Sequence, residues 1–325
     1  MTKPFSPFVQ APFLRAAIIV LVPFFLLALI YFVVFPNDYR LQAWLNPCSA
    51  RNHTSAQLIG ADAYTAVVDF RVLLGVLTLP SSYERRALLR LAYKLQPPPS
   101  GAAIDVRFVF CNVTNEEDAV LVAMEIIVYD DILVLNCTEN MNDGKTYDFF
   151  SAVPRLFADQ VPSYDYVGKV DDDIYYRVGH LADTLRGKPR QDMYHGFLLP
   201  CDVERKPGED EFMAGWGYIV SWDVAVWISE TEELGDDVKG PEDMTFRRWL
   251  RRGGKGKNLY GEDPARMYDY LDYRWPDGLS CFRHALVPDT IAVHYLKNRF
   301  RWARTLKFFN VTMGLKPSKL YHLDL

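Results

Sequence analysis

The apolar residues divide the chain into an N-terminal apolar run, a short mixed segment and a long region of alternating elements. Residues 16–35 contain no charged side chain. A helix of that length spans roughly 30 Å, the thickness of the hydrocarbon core of a bilayer. A cleaved signal peptide is the alternative, but its apolar region is normally about 7–15 residues long. The run therefore predicts a transmembrane signal anchor at 16–35, after a short cytosolic tail at 1–15.

Charges and glycosylation sequons place the rest of the chain in the lumen. Lys3 and Arg15 precede the apolar run, and positive charges favour the cytosolic side. Sequons of the Asn-x-Thr type follow the run at Asn52, Asn112, Asn136 and Asn310. Five cysteines fit an oxidising compartment with one or two disulfides. Cys48, close to the predicted membrane span, is the candidate for the unpaired one.

From Val72 onward, short apolar runs alternate with helical patterns. Strands are predicted at 72–77, 106–110, 132–135 and 164–170, and helices at 82–95, 116–128 and 146–157. Such alternation indicates an α/β fold with a largely parallel sheet that is covered on both faces. In the first helix, Ala87, Leu88, Leu91 and Leu95 are expected to face the core, and Arg85, Arg86 and Arg90 the solvent.

The second half of the chain has a weaker pattern. Beyond Leu185 the sequence is rich in Gly, Pro and charged residues, and helical patterns return at 221–230 and 241–252. No internal repeat separates this part from the first half. The predicted organisation is a luminal stem at 36–69 and one catalytic domain at 70–325.

Composition narrows the function classes. Half of the residues are apolar, and the formal net charge is −5 with a pI near 5.7. The apolar content is ample for a packed core. The acidic balance argues against a nucleic-acid-binding protein, which normally has a basic face.

Three consecutive acidic residues, Asp171, Asp172 and Asp173, follow the apolar strand that ends at Val170. Ligands of parallel sheets bind beyond the carboxyl ends of the strands. Neighbouring carboxylates raise one another's pKa unless a cation lies between them, and Mg²⁺ or Mn²⁺ accepts such oxygen ligands together with substrate phosphates. An acidic surface turn is the alternative, but the position after a buried strand favours a metal site.

A second acidic pair begins a predicted helix, in the sequence Gly240-Pro241-Glu242-Asp243-Met244. Proline at the first helical position and carboxylates in the first turn stabilise a helix whatever the function. A carboxylate held rigidly there can also accept a proton from an acceptor hydroxyl. The local sequence does not decide between a structural pair and a catalytic one.

Two further features carry weaker signals. His294 ends an apolar segment shortly before Lys297. A lone histidine at a strand end is more often a packed core residue than a metal ligand. If His294 is a metal ligand, Lys297 would lie near a diphosphate. The segment Gly215-Trp216-Gly217-Tyr218 either forms a tight turn or lets the backbone approach a ligand closely.

Taken in order, these residues resemble the family 31 β1,3-glycosyltransferases, which include β1,3-galactosyltransferases, β1,3-N-acetylglucosaminyltransferases and Fringe. The resemblance runs from about Val72 to Trp302. The matching segments are Glu84-Arg85-Arg86 with Arg90, Tyr129 to Leu133, Lys145-Thr146, Lys169 with the Asp triplet, Gly215 to Ser221, and Glu242-Asp243-Met244. Two positions depart from the family pattern: Tyr93 stands where a Trp is usual, and Arg247 where a Gly is common.

The resemblance implies a GT-A-type nucleotide-sugar-binding sandwich with a mostly parallel central sheet, preceded by one transmembrane helix. It also implies a type II Golgi membrane protein and an inverting mechanism with a UDP-sugar donor and Mn²⁺, with Mg²⁺ as the alternative. Asp173 would be the principal metal ligand, with Asp171 and His294 as further candidates, and Asp243 the general base. The candidates for nucleotide-sugar binding are Asp171, Asp172, Lys169 and Gly217.

The expected partners are a UDP-sugar donor, a glycan or glycoprotein acceptor and the Golgi membrane, and the sequence leaves a homodimer open. The transferred hexose would be galactose or N-acetylglucosamine. A non-catalytic luminal binding protein that retains the fold is the main alternative, and the intact Asp triplet and Glu242-Asp243 pair argue against it. A metal-dependent hydrolase is less favoured, because the sequence shows no nucleophile elbow and no zinc motif.

Overall fold

A computed structural model describes residues 21–23, 26, 68–161, 163–201, 211–270, 281 and 284–313. The chain divides into two compact units, Met1–Ala63 and Tyr64–Leu325. In the first unit, residues 21–23 and 26 are helical, and the rest of the predicted anchor at 16–35 lies outside the described residues. Among the residues that the structure describes, no helix is long and apolar enough to cross a membrane.

The second unit alternates strands and helices, as the sequence predicts for its first half. The first elements are β1 Phe70–Leu77, α1 Tyr83–Lys94, β2 Ala102–Cys111, α2 Glu116–Tyr129, β3 Ile132–Leu135, α3 Lys145–Leu156, β4 Tyr166–Asp171, β5 Tyr175–Tyr176 and α4 Val178–Leu185. They continue with β6 Met193–Leu199, β7 Phe212–Ser221, α5 Trp222–Glu230, α6 Glu242–Gly253, β8 Asn258–Gly261, β9 Met267–Asp269, β10 Ala292–His294 and α7 Arg299–Phe308. Short 3₁₀ turns lie at Glu232–Asp236 and Pro264–Arg266.

Seven strands form the central sheet, in the order β3-β2-β1-β4-β7-β6-β8. Strands β3, β2, β1 and β4 run parallel to one another, and β8 runs parallel to β6. Strand β7 is antiparallel to both of its neighbours, β4 and β6. The predicted mostly parallel sheet is therefore confirmed, and this arrangement is GT-A-like.

A second, three-stranded sheet has the order β5-β10-β9. It completes one apolar core together with β1, α1 and α4, while α3, α5 and α6 pack on the other face of the central sheet. Both faces of the central sheet are thus covered, as parallel strands require.

Two central strands lie in the part of the sequence that was expected to be rich in loops. Strands β6 and β7 pair with each other and join β4 to β8. Glycines and aromatic residues interrupt the simple apolar pattern of both strands. The segment Gly215-Trp216-Gly217-Tyr218 lies within β7, so its interpretation as a tight turn is wrong.

Helix α1 turns a different face inward from the one that its sequence predicts. Leu91 and Leu95 are exposed, whereas the Arg86 side chain is completely buried. Arg86 donates from Nε to Glu125 Oε2 at 2.9 Å and from Nη2 to the Pro80 carbonyl at 2.7 Å. A buried guanidinium is stable when its donors are paired, and the partner on α2 cannot be read from the pattern of α1 alone.

Two disulfides cross-link the second unit. Cys111, at the end of β2, pairs with Cys137 shortly after β3, and Cys201 pairs with Cys281. The expectation of one or two bridges is confirmed. Cys48, expected to be unpaired, lies outside the described residues.

Candidate active site

One cavity of about 620 Å³ lies where β1 and β4 end. Leu77 pairs with Asp171 in the last register position of this strand pair, so the chain leaves both strands at the same edge of the sheet. The Asp triplet, the Glu242-Asp243 pair, His294 and Lys297 all line this cavity. Carboxyl ends of parallel strands are where such folds bind ligands. Residues that are far apart in sequence therefore meet at one site.

Asp171, Asp173 and His294 form a group that could hold a metal ion. One ligand atom from each residue lies within 4.8 Å of the others. Strand β10 brings His294 to the triplet because it pairs with β5, which begins two residues after Asp173. On the opposite side, His294 Nδ1 lies 3.1 Å from Asp269 Oδ1. A carboxylate behind the imidazole is the usual way in which proteins orient a metal-binding histidine.

The charges within this group balance one another. Burial lowers the pKa of His294, but hydrogen bonds with Asp173 and Asp269 outweigh burial and raise the pKa to about 9. Burial raises the pKa of Asp173, but His294, Lys297 and Arg85 together hold it below its ordinary value. The imidazolium thus supplies a cation to the acidic group, and a bound metal ion would release its proton because a ligating histidine is neutral.

Asp172 points to a different partner from its two neighbours. Its Oδ2 accepts a hydrogen bond from Thr78 Oγ1 at 2.7 Å, and its Oδ1 accepts one from Arg85 Nη1 at 2.5 Å. Thr78 directly follows β1, and Arg85 lies in the first turn of α1. The structure therefore places Asp172 against α1, whereas Asp171 and Asp173 lie with His294.

A buried ammonium connects the two acidic segments. Lys169 is almost completely buried, and its Nζ donates to Asp171 Oδ1 at 2.7 Å, to Glu242 Oε2 at 3.1 Å and to the Gly215 carbonyl. The Tyr218 hydroxyl donates to the other oxygen of Glu242. Lys169 thereby links the end of β4 to the first residue of α6.

Asp243 is fixed at the start of α6 by backbone donors. Its Oδ2 accepts from the Gly215 amide at 3.0 Å, and its Oδ1 accepts from the Met244 amide at 2.9 Å. Gly215 leaves room for this contact, because a Cβ there would lie 3.2 Å from Asp243 Oδ2. The carboxylate is half-buried and lines the cavity, which gives an acceptor hydroxyl access to it.

Gly217 lies away from the cavity. A Cβ at this position would meet the Tyr176 hydroxyl at 2.6 Å, so the missing side chain allows β7 to pack closely on β5. The glycine of this segment that lines the cavity is Gly215, together with Trp216.

One residue that supports the site, Asp269, was not singled out from the sequence. Asp269 supports His294, and the Trp216 ring stacks on the His294 ring with centroids 5.0 Å apart. Asp269 lies in a short strand without an acidic neighbour, so its sequence gives no local signal. Its role follows from the β9–β10 register, in which Asp269 lies opposite His294.

A family model described as galactosyltransferase matches residues 84–203, which include the Asp triplet. This match and the two curated relatives described below support membership of the galactosyltransferase family, of the family 31 type. The same comparisons indicate that the chain is a hexosyltransferase. The match ends before Asp243 and His294, so the positions of these two residues in the site come from the tertiary structure.

Two curated galactosyltransferases are similar to this chain. Beta-1,3-galactosyltransferase pvg3 from Schizosaccharomyces pombe is 24% identical over 283 residues, 70% of this chain and 72% of the relative. Probable beta-1,3-galactosyltransferase 12 from Arabidopsis thaliana is 24% identical over 230 residues, 62% of this chain and 61% of the relative.

Solved glycosyltransferase structures also align with the chain. The galactosyltransferase LgtC in complex with donor and acceptor sugar analogues has 13% identity and a TM-score of 0.43, over 77% of this chain and 98% of that one. Mouse xyloside xylosyltransferase 1 has 10% identity and a TM-score of 0.40, over 70% of this chain and 97% of that one. Because both scores are below 0.5, the GT-A-like description depends on the sheet order of this chain.

Proposed function

We propose that this hexosyltransferase is an inverting, Mn²⁺-dependent enzyme that transfers galactose or N-acetylglucosamine from a UDP-sugar to a glycan or glycoprotein hydroxyl. The linkage formed would be β1,3, as in the names of both curated relatives. The observation that carries the proposal is the single cavity that is lined by Asp171, Asp173, His294 and Asp243.

The ligand chemistry of the first three residues fits the proposed ion. Carboxylates suit Mn²⁺ and Mg²⁺, and an imidazole is accepted by first-row transition metals, which favours Mn²⁺ over Mg²⁺. Asp173 is the most enclosed of these ligands, with its side chain 7% exposed. When bound, the ion would neutralise the charge that develops on the departing diphosphate.

Cationic side chains line the same cavity and suit a nucleotide-sugar. Lys297 Nζ lies 3.7 Å from Asp173 Oδ2, and Arg85 reaches Asp172 from α1. Both residues line the cavity, where they can pair with diphosphate oxygens. Lys169 also lines the cavity but is almost completely buried, and its role in the proposal is to hold Asp171 rather than to touch the donor.

Asp243 is the proposed general base. Its carboxylate takes the proton from the acceptor hydroxyl as the hydroxyl oxygen forms its bond to the anomeric carbon. The bond between that carbon and the diphosphate oxygen breaks on the opposite face, and UDP leaves with its electron pair. The two backbone amides that bind Asp243 keep the carboxylate aimed at the cavity.

The test measures UDP release by the full-length chain from UDP-galactose and from UDP-N-acetylglucosamine, with Mn²⁺ or with EDTA. We expect metal-dependent release from one donor. Asp173→Asn should reduce kcat at least about 100-fold, the scale on which a lost transition-state interaction acts. Asp183→Asn, a change on the exposed face of α4, is the matched control and should keep the wild-type rate.

Metal and donor binding separate the proposal from its main alternative. Tryptophan fluorescence should report Mn²⁺ binding, because Trp216 stacks on His294. A folded wild-type chain that binds Mn²⁺ and UDP but never turns over a donor would support a non-catalytic binding protein. Asp243→Asn should keep Mn²⁺ binding and lose transfer, as expected for a base that does not bind the metal.

A further inference from the structure

A second cavity, of about 340 Å³, lies between the start of β7 and the outer face of α6. Its lining consists of two apolar residues and four arginines: Phe212, Met244, Arg247, Arg248, Arg251 and Arg252. Four guanidinium groups surround this cavity, in a chain whose net charge is negative. Such a site favours an anionic ligand.

Arg247 pairs more weakly with a carboxylate than Arg248 and Arg252 do. Arg248 and Arg252 both pair with Asp237, at 2.7 Å and 2.6 Å. Arg247 donates from Nε to the Glu211 carbonyl at 3.1 Å, and its Nη2 lies 3.9 Å from Glu211 Oε1. The Arg247 side chain is only 16% exposed. A charge that is buried to this extent and weakly paired is stabilised by a bound anion.

The cavity lies next to the proposed base. Arg247 follows Asp243 by four residues on α6, so the two side chains lie on one face of the helix, about 6 Å apart at their Cβ atoms. Strand β7 and the residue just before it contact both positions, since Glu211 binds Arg247 and Gly215 binds Asp243. Met244, which is exposed, adds apolar surface to this cavity.

We propose that this cavity binds an anionic group, a sulfate, phosphate or carboxylate, on the acceptor saccharide. This inference rests on the proposed function, because it takes the attacked hydroxyl to lie at Asp243. The distance between Asp243 and Arg247, one helix turn, is about the width of one sugar ring. The planar fork of Arg247 suits such oxyanions, and Arg247 stands where the family commonly has glycine. A preference for anionic acceptors would therefore be specific to this chain within the family.

The experiment compares KM and kcat of the full-length chain for two acceptors, p-nitrophenyl β-galactoside and its 6-sulfate. We expect a KM about tenfold lower for the sulfated acceptor, with a similar kcat. Arg247→Gln should abolish this difference, and Arg247→Lys should keep part of it. Arg299→Gln, at an exposed arginine on α7, is the control and should keep the full difference. Added salt should reduce the difference in the wild type.

A readout that does not need turnover distinguishes failure of this inference from failure of the proposed function. Phenylglyoxal labels arginines, and mass spectrometry can follow its addition to Arg247. Galactose 6-sulfate should protect Arg247 from labelling, and galactose should not. If both sugars protect equally, or if the KM difference survives in Arg247→Gln, the inference is overturned. If a glycopeptide with acidic residues is preferred and the sulfated sugar is not, the ligand is a peptide and the saccharide proposal fails.

Discussion

At the scale of single residues, Lys169 shows how one buried charge organises the site. Its ammonium binds Asp171 of the triplet and Glu242 beside the proposed base. Burial lowers the pKa of Lys169, but the two carboxylates outweigh it, so the pKa lies above its ordinary value. The lysine therefore stays charged, and it links the Asp triplet to the start of α6.

Replacing this lysine should destabilise the fold as well as the site. Lys169→Met leaves the buried Glu242 carboxylate without its cation, and breaking a buried ion pair in this way costs about 3–5 kcal/mol. Urea unfolding monitored by circular dichroism measures this loss. Lys307→Met, at an exposed position on α7, is the matched control and should change stability by less than about 0.5 kcal/mol.

The double variant Lys169→Met/Glu242→Gln tests the physical reason. Removing the orphaned charge should recover part of the lost stability, with a coupling of about 0.5–3 kcal/mol. Strictly additive losses would show that Lys169 acts through packing rather than through its charge.

At the scale of elements, the contact between α1 and α2 depends on charges rather than on apolar side chains. Glu125 is buried on α2 and binds Arg86 and Arg90 of α1. Most apolar side chains of α2, including Ile127 and Val128, are exposed. Burial raises the pKa of Glu125, but the two arginines outweigh burial and hold the pKa below its ordinary value of 4.5.

This contact makes stability dependent on pH in a defined window. Because the folded pKa of Glu125 is depressed, its contribution is complete above pH 4.5 and is lost as the pH falls through the lower, folded value. Glu125→Gln should lose about 3–5 kcal/mol at pH 7, since Arg86 is left buried and unpaired.

The gap between wild type and Glu125→Gln should shrink as the pH falls below 4.5, because the wild-type carboxyl then takes up a proton. Urea unfolding at pH 7, 5, 4 and 3.5 measures the gap. Glu117→Gln, at an exposed position in the first turn of α2, should show no such trend. A gap that stays constant down to pH 3.5 would contradict the assignment.

At the scale of the whole molecule, the central sheet and the smaller sheet bring distant segments to one cavity. Strand β4 ends in the triplet, α6 begins with the acidic pair, and β10 ends in His294. The register of β5 with β10 sets the position of His294. The groups of the proposed site lie on three separate elements and require the complete fold, so we expect the site to assemble cooperatively with the core.

We propose a location and a membrane orientation for the whole chain. The apolar run at 16–35, the basic residues before it and the sequons after it support a type II Golgi membrane protein. In this proposal residues 1–15 are cytosolic, 36–69 form a stem and 70–325 form the luminal catalytic domain.

Protease protection in sealed microsomes tests this topology. We expect a tag at the N terminus to be removed by added protease, and a tag at the C terminus to be protected until detergent is added. Endoglycosidase treatment should also lower the apparent mass, because Asn112, Asn136 and Asn310 would lie in the lumen. A C-terminal tag that is cleaved in intact vesicles would exclude the proposed orientation.

The elements that depend on neighbouring residues are predictable from the sequence. The strand before the triplet, the helix that begins at Glu242 and the alternation from β1 to β4 agree with the structure within a few residues. Contacts between residues that are distant along the chain are not predictable from the sequence. Arg86 was expected in solvent because its binding partner lies 39 residues away, and β6 and β7 were missed because aromatic residues and glycines mask a strand pattern that only pairing makes regular.

The sequence by itself determined the class of fold, the acidic segments and the family resemblance, because periodicity and short motifs are properties of neighbouring residues. The tertiary structure alone decided which residues share the site. It separated Asp172 from Asp171 and Asp173, placed Asp269 behind His294 and brought Gly215 rather than Gly217 to the cavity. The physical reason is that strand register and helix packing set distances between side chains far apart in the chain, and no local pattern records those distances.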